Sequence, residues 1–473
     1  MILQNSIAGI HSFLKKWIVT HKGFQCRSFY GETFTLAFFA LIGEKSEKVT
    51  NILKDEFFKL DTKNPEFHWE FNRYALNEYQ KLSGDQICKL DQFKGTPCTN
   101  WTLLRNRLVY NPEEVKTKIN EMQLSNGLIL DDPEVHSLQY HCFSLALIIE
   151  IYEEQKDPFL LQAFEKGVTF IRSMILSNGD TLYIGRGQQQ LFGYAALIYI
   201  LSKATLYFND SSLFAHLEQV IHFLSQFQRK DGSFPLVLRE GETEIPKKAD
   251  VKNPAFSGWY PYNNYFDYLP FAGYFLAKAA TSIKPESICY SPNSFFDGMF
   301  QKVVKPNYQA VLAKPTGYFS NDLAFPYLVS NGKTLTPAYG GEQFEESLFS
   351  PLDLPLPYFP DWGRGMRWKS RAIFQRNRLI MFSPLGVMIR DFTFSDAEIE
   401  VKTRILSPFK VRQQYLFFES IEQDSACSLS DHRLTIVSNK PLEYERKAYS
   451  ASGPLKLFSC RGKLHQLKVK VSL

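Results

Sequence analysis

At 473 residues the chain exceeds what one hydrophobic core organises and has room for two or three domains. Its 44% hydrophobic and 22% charged residues exclude a disordered or fibrous chain. A net charge of +5, from 54 Lys and Arg against 49 Asp and Glu with no basic run, argues against a nucleic-acid binder and permits an acidic ligand. Seven cysteines at long spacings, without a CxxC pair, argue against a zinc site or a small disulfide scaffold. The apolar stretches around 36–42 and 194–201 fall short of the roughly 20 residues that cross a bilayer. Residues 1–24 are interrupted by Gln4, Asn5, Ser6, His11, Lys15 and Lys16 before a signal-like apolar run develops. As it stands, the sequence therefore predicts a cytoplasmic location; a trimmed N-terminus would instead put the chain in the periplasm or outside the cell. The compositional excess is aromatic, with 41 Phe, 24 Tyr and 6 Trp. Rings fill cores, and they also stack on the CH faces of sugars.

In chain order, an apolar stripe at Ile7, Ile10, Phe13, Leu14 and Trp17 predicts a first amphipathic helix. Helical spacing continues through 34–60 with a break near Gly43, then 67–82, 101–110, 140–152, 158–176, 190–206, 212–228 and 265–283. Two similar turns, Ser177-Asn178-Gly179-Asp180 and Arg229-Lys230-Asp231-Gly232-Ser233, follow helices about 50 residues apart, the repeat of one helical hairpin. Together these predict an incomplete (α/α) toroid over 1–285. A Ser- and Pro-bearing linker is expected at 286–306. From 307 to 473 the period changes to two, with strands at 370–375, 378–382, 387–394, 399–406, 415–420, 434–438, 455–460 and 464–471. The expected fold class is multidomain α+β, the toroid followed by an antiparallel β-sandwich.

Three polar clusters stand where a loop enters an apolar helix. The first, Asp131 to Ser144, holds His136, Tyr140 and His141; an imidazole there can exchange protons, the plain alternative being a hydrogen-bonded core histidine. The second, Tyr183 to Tyr194, sets Arg186 between two glycines and is followed by Gln188, Gln189 and Gln190. Arginine gives a planar fork for a carboxylate, and the amides suit sugar hydroxyls. With neither GxGxxG nor GxxxxGK, it is no phosphate loop, and no cofactor is expected. The third, Trp259 to Leu269, packs Trp259, Tyr260, Tyr262, Tyr265 and Tyr268 with Asn263, Asn264 and Asp267, a sugar platform with a candidate acid–base tyrosine. His432 and His465 fit no zinc spacing, so no metal is expected.

The phrases Tyr140-His141, Gly185-Arg186-Gly187-Gln188 with Phe192-Gly193-Tyr194-Ala195-Ala196, Asp231-Gly232-Ser233 and the aromatic run to Tyr268 resemble the heparinase II/III-like polysaccharide lyases. That resemblance implies a helical toroid plus β-domain and a lyase acting on an acidic, uronic-acid polysaccharide by β-elimination. It further implies Arg186 and Gln188 as neutralisers of the uronate, His141 as base, and Tyr262 as acid with Tyr265 as its substitute. His136, Tyr140, Gln190, Tyr194, Trp259, Tyr260, Asn263 and Asp267 would bind substrate. Where relatives carry an Asn-His pair this chain has Tyr140, which makes Asn263 the other candidate neutraliser. Two alternatives remain open. One is a glycoside hydrolase, with carboxylates drawn from Asp132, Glu134, Asp231 and Asp267. The other is a non-catalytic carbohydrate-binding protein of polysaccharide assembly.

Overall fold

Apolar residues at helical spacing fold into α1 (Ile2–His21), α2 (Gly31–Leu41), α3 (Glu47–Phe58), α4 (Trp69–Ser83), α5 (Thr99–Leu108), α6 (Pro112–Met122), α7 (Leu138–Gln155), α8 (Pro158–Met174), α9 (Leu191–Tyr207), α10 (Ser212–Ser225) and α11 (Tyr265–Ala280). The structure is a computed structural model that describes residues 2–25, 28–64, 67–88, 92–133, 135–239, 250, 253–283, 292–314, 325–338, 371–383, 386–408 and 410–472. Helix α6 is additional to the predicted set. Asn111 caps it, accepting from the Glu114 N–H at 3.2 Å, with Pro112 in the first turn and Val115, Ile119 and Met122 on its buried stripe.

Circumferential hydrophobicity sorts the helices into two rings. Helices α7, α9 and α11 bury residues on every side, as helices enclosed by others do, whereas α1, α3, α6, α8 and α10 bury one stripe. The inner ring closes, α2 packing on α4, α4 on α5, α5 on α7, α7 on α9, α9 on α11, and α11 back on α2. Among the described residues, five helices form the outer ring. A sixth would lie between α4 and α5, where the chain instead runs back along α4: Asp85 meets Tyr79, Phe93 lies under Arg73, and the Gly95 N–H reaches Glu70 at 3.0 Å. The toroid is incomplete in this sense.

The predicted repeat has three copies rather than two. After α6, α8 and α10, turns close through Gly127 N–H to Leu124 O, Gly179 N–H to Leu176 O, and Gly232 N–H to Arg229 O, each at 2.8–2.9 Å. All three glycines have positive φ. A Cβ on each would meet the backbone of the following outer helix, at Lys166, Gln219 and Gly9, within 2.4 Å. These turns thus join α6 to α8, α8 to α10, and α10 to α1, and the close approach explains why glycine is required.

Down the axis the barrel is filled by phenylalanine. Phe34, Phe71, Phe143, Phe192 and Phe271 come from five inner helices and pack with centroids 3.7 Å (Phe192–Phe271), 5.1 Å (Phe143–Phe192), 5.2 Å (Phe34–Phe271) and 5.5 Å (Phe71–Phe143) apart. Much of the aromatic excess is therefore core. At the C-terminal end of the ring, Arg107 lies among Glu150 (3.1 Å), Glu78 (3.2 Å) and Glu154 (2.6 Å, an ion-pair contact off line for a hydrogen bond), and Lys278 also pairs with Glu150.

The β-region comprises β1 (Phe295–Phe296), β2 (Phe300–Val304), β3 (Gln309–Ala313), β4 (Tyr327–Ser330), β5 (Lys333–Thr334), β6 (Arg371–Gln375), β7 (Arg378–Ser383), β8 (Gly386–Phe394), β9 (Glu398–Leu406), β10 (Arg412–Phe418), β11 (Glu422–Ser425), β12 (Ser428–Ser430), β13 (Leu434–Ser438), β14 (Glu443–Ser450), β15 (Gly453–Arg461) and β16 (Leu464–Val471). These make antiparallel sheets β1-β2-β3-β4-β5, β10-β15-β14 and β11-β12-β13-β16-β9-β8-β7-β6, and all three contribute to one core. Strands β1 and β2 fall inside the stretch expected to be linker; 284–291 lie outside the described residues. The reason is visible in β3, where Val311 and Ala313 pack into the helical core while Ala310 and Leu312 face the β core. A sheet buried on both faces shows no polar alternation in its sequence. It grips the 174–182 loop through Lys302 Nζ to Ile175 O (3.2 Å), Ser177 N–H to Gln309 (2.8 Å) and Tyr327 OH to Asp180 (2.6 Å).

Candidate functional site

The N-terminal ends of all six inner helices converge. Tyr30 precedes α2, His68 precedes α4, Asn100 and Trp101 open α5, Asp131 and Tyr140 flank the start of α7, Arg186 and Phe192 that of α9, and Tyr262 and Tyr268 that of α11. With Phe71 and Cys98 they line a cavity of about 240 Å³, whose floor is the top of the phenylalanine stack.

Two glycines place the arginine. Gly185 (φ +87°) and Gly187 (φ +80°) lie so close to His136 O and the Gln139 amide that a Cβ on either would come within 2.4 Å. Between them Arg186 N–H donates to His136 O (3.2 Å), and Arg186 O accepts from Ser137 Oγ (2.6 Å), the cap of α7. Arg186 Nε donates to the Tyr262 hydroxyl at 2.8 Å, Nη1 lies 3.4 Å from Asp131 Oδ2, and the guanidinium stands over the rings of Tyr262 (4.6 Å), Tyr140 (5.5 Å) and Tyr260 (5.9 Å). The Asp180 web braces the same loop, Asp180 accepting from Tyr327 (2.6 Å), Gln189 (2.8 Å), Tyr194 (2.9 Å) and Thr334 (3.2 Å).

Two buried acceptors in the cavity wall, Asn100 Oδ1 and Asp131 Oδ1, have no hydrogen-bond partner among the described residues. A buried polar atom without a protein partner is costly unless something else meets it, so both point to a ligand or its water. Burial pushes the Asp131 carboxyl up to about 6, against the pull of Arg186. Because this folded value lies above the unfolded one, the carboxyl costs stability increasingly as pH rises from about 4 through 6 and by a constant amount above. Asp131→Asn, measured against the parent by chemical denaturation, is therefore expected to gain relative stability between pH 4 and pH 7.

Of the expected site residues, Tyr140, Arg186 and Tyr262 meet in the cavity, and Tyr260 stacks on Tyr262 at 5.5 Å behind them. The others do not line it. His141 sits wholly inside the helical core, its Nδ1 accepting from Ile129 N–H at 3.0 Å and its Nε2 meeting Gly167 O at 3.2 Å. With both nitrogens used and burial pushing the imidazole down to about 3, it is a structural histidine rather than a base. His141→Ala should cost about 2–4 kcal/mol of stability through a lost bond and a cavity, leaving the pH profile of any activity unmoved; thermal melting and that profile check both. The His136 ring turns to Phe300 (6.2 Å), Tyr194 belongs to the Asp180 web, the Tyr265 hydroxyl donates to Phe234 O (2.7 Å), and Trp259 is core. Gln188 is buried away from the lining, with no hydrogen-bond partner for either amide atom among the described residues. Asp267 accepts from the Phe29 and Tyr30 N–H groups at 2.8–3.1 Å and so fixes the loop that presents Tyr30. Gln190 and Asn263 form a buried amide chain behind Tyr268. Asp132 stands outside the lining, Asp231 is tied into its own turn by Ser233, and Glu134 lies outside the described residues.

Sequence reasoning missed Tyr30, His68, Asn100 and Trp101, and it placed Asp131 in the first polar cluster without singling it out. The four missed residues precede or open inner helices, so helix starts at 31, 69 and 99 carried the available signal. The His68 ring stacks on Phe29 (4.8 Å) and Tyr30 (5.6 Å) and meets Trp101 edge-on (5.3 Å).

No family model matches the chain, and no curated protein does. Solved structures do resemble it. Chondroitin AC lyase from Streptomyces coelicolor A3, in complex with chondroitin sulphate, superposes over 100% of this chain and 79% of its own, with a TM-score of 0.50 at 9% identity. Glycosyl hydrolase family 88 from Bacteroides vulgatus (13% identity, 59% of this chain, 99% of that one) and heparan sulfate lyase HepC from Pedobacter heparinus (14%, 90% and 73%) follow at TM-scores of 0.42 and 0.34. The chain thus has an (α/α) toroid followed by antiparallel β-sheets, a fold it shares with the chondroitin AC lyase.

Proposed function

We propose that the chain is a carbohydrate-active enzyme, a polysaccharide lyase that cleaves a uronic-acid polysaccharide by β-elimination in the cavity at the inner-helix N-termini. The observation that carries this reading is the pairing of the Asn100 side-chain amide with the Arg186–Tyr262 hydrogen bond in one small cavity. Six helix N-termini directed at that space favour an anion there. An anionic uronate whose carboxylate accepts from the Asn100 amide N–H and the Arg186 guanidinium has its charge offset, which makes the C5 proton removable. His68 is the imidazole on the cavity wall suited to take it, and a hydroxyl of the Tyr262 group is suited to protonate the leaving oxygen. Burial pushes Tyr262 well above its ordinary value, so it carries its proton at neutral pH.

A glycoside hydrolase on the same scaffold is the second reading, and Asp131, raised to about 6, is the observation in its favour. The two-carboxylate mechanism needs a partner, and Asp131 is the one carboxyl among the described residues of the lining. Incubation with a panel of uronic-acid polysaccharides, followed by ultraviolet absorbance of the conjugated product, tests the choice. A rise with one polymer that Tyr262→Phe suppresses supports elimination; reducing ends without absorbance support hydrolysis; binding without either supports a non-catalytic sugar-binding protein.

A further inference from the structure

Thr99 fastens the start of α5 to the loop before α7. Its N–H donates to Asp131 O (2.9 Å) and its hydroxyl to Leu130 O (2.8 Å), while the Asp131 N–H donates to Val135 O (3.2 Å). Asn100 and Asp131 therefore stand in the cavity wall on adjoining stretches of pinned backbone, exposed by only 3% and 2%. Each carries a buried oxygen, Asn100 Oδ1 and Asp131 Oδ1, with no hydrogen-bond partner among the described residues. The other carboxylate oxygen of Asp131 is turned to Arg186 Nη1 at 3.4 Å.

An amide oxygen and an ionised carboxylate can only accept. With its carboxyl titrating at about 6, Asp131 is an acceptor at neutral pH, and it keeps that requirement whichever way the Asn100 amide turns. A buried carboxylate oxygen without a donor is costly, so a ligand that fits this wall brings hydrogens to it. Sugar hydroxyls do so. A sulfate ester in the same place brings a full negative charge, more acceptors and no hydrogen. Arg186 is the one Lys or Arg among the described residues of the lining, and it is shared between Asp131 and the uronate carboxylate. A second anionic group against Asp131 would meet like charge in a buried place. We propose that the cavity selects a uronate whose hydroxyls are free, so that the substrate is a uronic-acid polymer without O-sulfate on the uronate, and that Asp131 is the specificity-determining residue, accepting from one of those hydroxyls beside Asn100. This rests on the reading of the cavity as the place that holds the uronate, and it names the class of uronate held there.

The test uses unsulfated chondroitin, heparosan and alginate, each as such and after chemical O-sulfation of its uronate units. For whichever polymer yields product, kcat/KM should be about 10²-fold or more higher for the unsulfated form, because sulfation takes the donor from a buried carboxylate and sets a charge against it. Equal rates, or faster cleavage of the sulfated form, overturn the proposal, and elimination stands if the product absorbs in the ultraviolet. Reducing ends without absorbance remove elimination instead, with the preference still read from the same ratio. Asp131→Asn, which is expected to fold at neutral pH, should narrow the preference to less than about 10-fold, chiefly through a higher KM for the unsulfated polymer. An unchanged ratio, or a loss confined to kcat, removes Asp131 from the selection. Binding decides where no form is cleaved: the unsulfated polymer should raise the melting temperature of Tyr262→Phe and its sulfated form should not. Equal shifts with both forms, or none with any polymer of the set, overturn the proposal.

Discussion

Asn100→Ala is expected to lower the rate of elimination about 10²–10³-fold, the loss typical of one preorganised hydrogen-bonding group that meets developing charge. Its melting temperature should stay level or rise. The residue is 3% exposed at the start of α5, and its Oδ1 has no hydrogen-bond partner among the described residues, so removal strands no donor among them and relieves an unsatisfied acceptor. Asn106, six residues further along α5, is the control: its Nδ2 donates to Glu114 at 2.8 Å and its Oδ1 accepts from Asn111 N–H at 2.8 Å. Its truncation should cost stability and spare the rate. Kinetics and thermal melting of the two variants side by side check the contrast; a destabilised, fully active Asn100→Ala would make Asn100 a packing residue.

Arg107→Ala should produce the largest loss of stability, about 3–5 kcal/mol, the range found when one member of a buried ion cluster is removed and its partners stay charged. The guanidinium side chain is 6% exposed and stands among Glu78, Glu150 and Glu154, leaving the partly buried Lys278 beside Glu78 and Glu150 and the more exposed Lys81 beside Glu78 and Glu154. Three inner helices, α4, α5 and α7, meet at this guanidinium, so its loss opens the ring at the end away from the cavity. At about 2–4 °C per kcal/mol the melting temperature should fall by roughly 6–20 °C. Well below the new melting point the kcat should match the parent, because no residue of the cluster lines the cavity. A fall in kcat at equal folded fraction would show that the two ends of the barrel are coupled.

The helical half was legible because its ring position is written as hydrophobicity. Stretches such as Leu191–Leu201 are apolar on every side and became inner helices, while one-striped segments such as Pro158–Met174 became outer ones. The Asn-Gly turns were legible as a repeat, and Ser125-Asn126-Gly127 repeats Ser177-Asn178-Gly179 closely enough to have been counted with it. Strands β1 to β5 were illegible for a physical reason, since a sheet covered on both faces carries no polar period. The site was legible in part. Gly185-Arg186-Gly187 announced a constrained arginine, and the tyrosines of 260–268 announced a polar aromatic cluster. His141 misled because a junction histidine and a core histidine look alike in sequence, and the difference lies in Ile129 and Gly167, which only folding brings to its two nitrogens. Asn100 was missed because its importance lies in a missing partner, which no local pattern encodes. The amides of 188–190 show a further limit. Gln190 lies in a buried amide chain, and the sense in which it donates is set by Gly258 and Asn263 some seventy residues away.

The central claim is that bond cleavage in this cavity proceeds by elimination. Its most direct test is digestion of a uronic-acid polymer in water enriched in heavy oxygen, with mass analysis of the fragments from the parent protein and from Arg186→Ala. Elimination adds no water: the new ends should carry no label, each non-reducing end should be lighter than its hydrolytic counterpart by one water, and the arginine variant should release neither. Heavy oxygen in the fragments of the parent protein would mean that water attacks the bond, and would contradict the account.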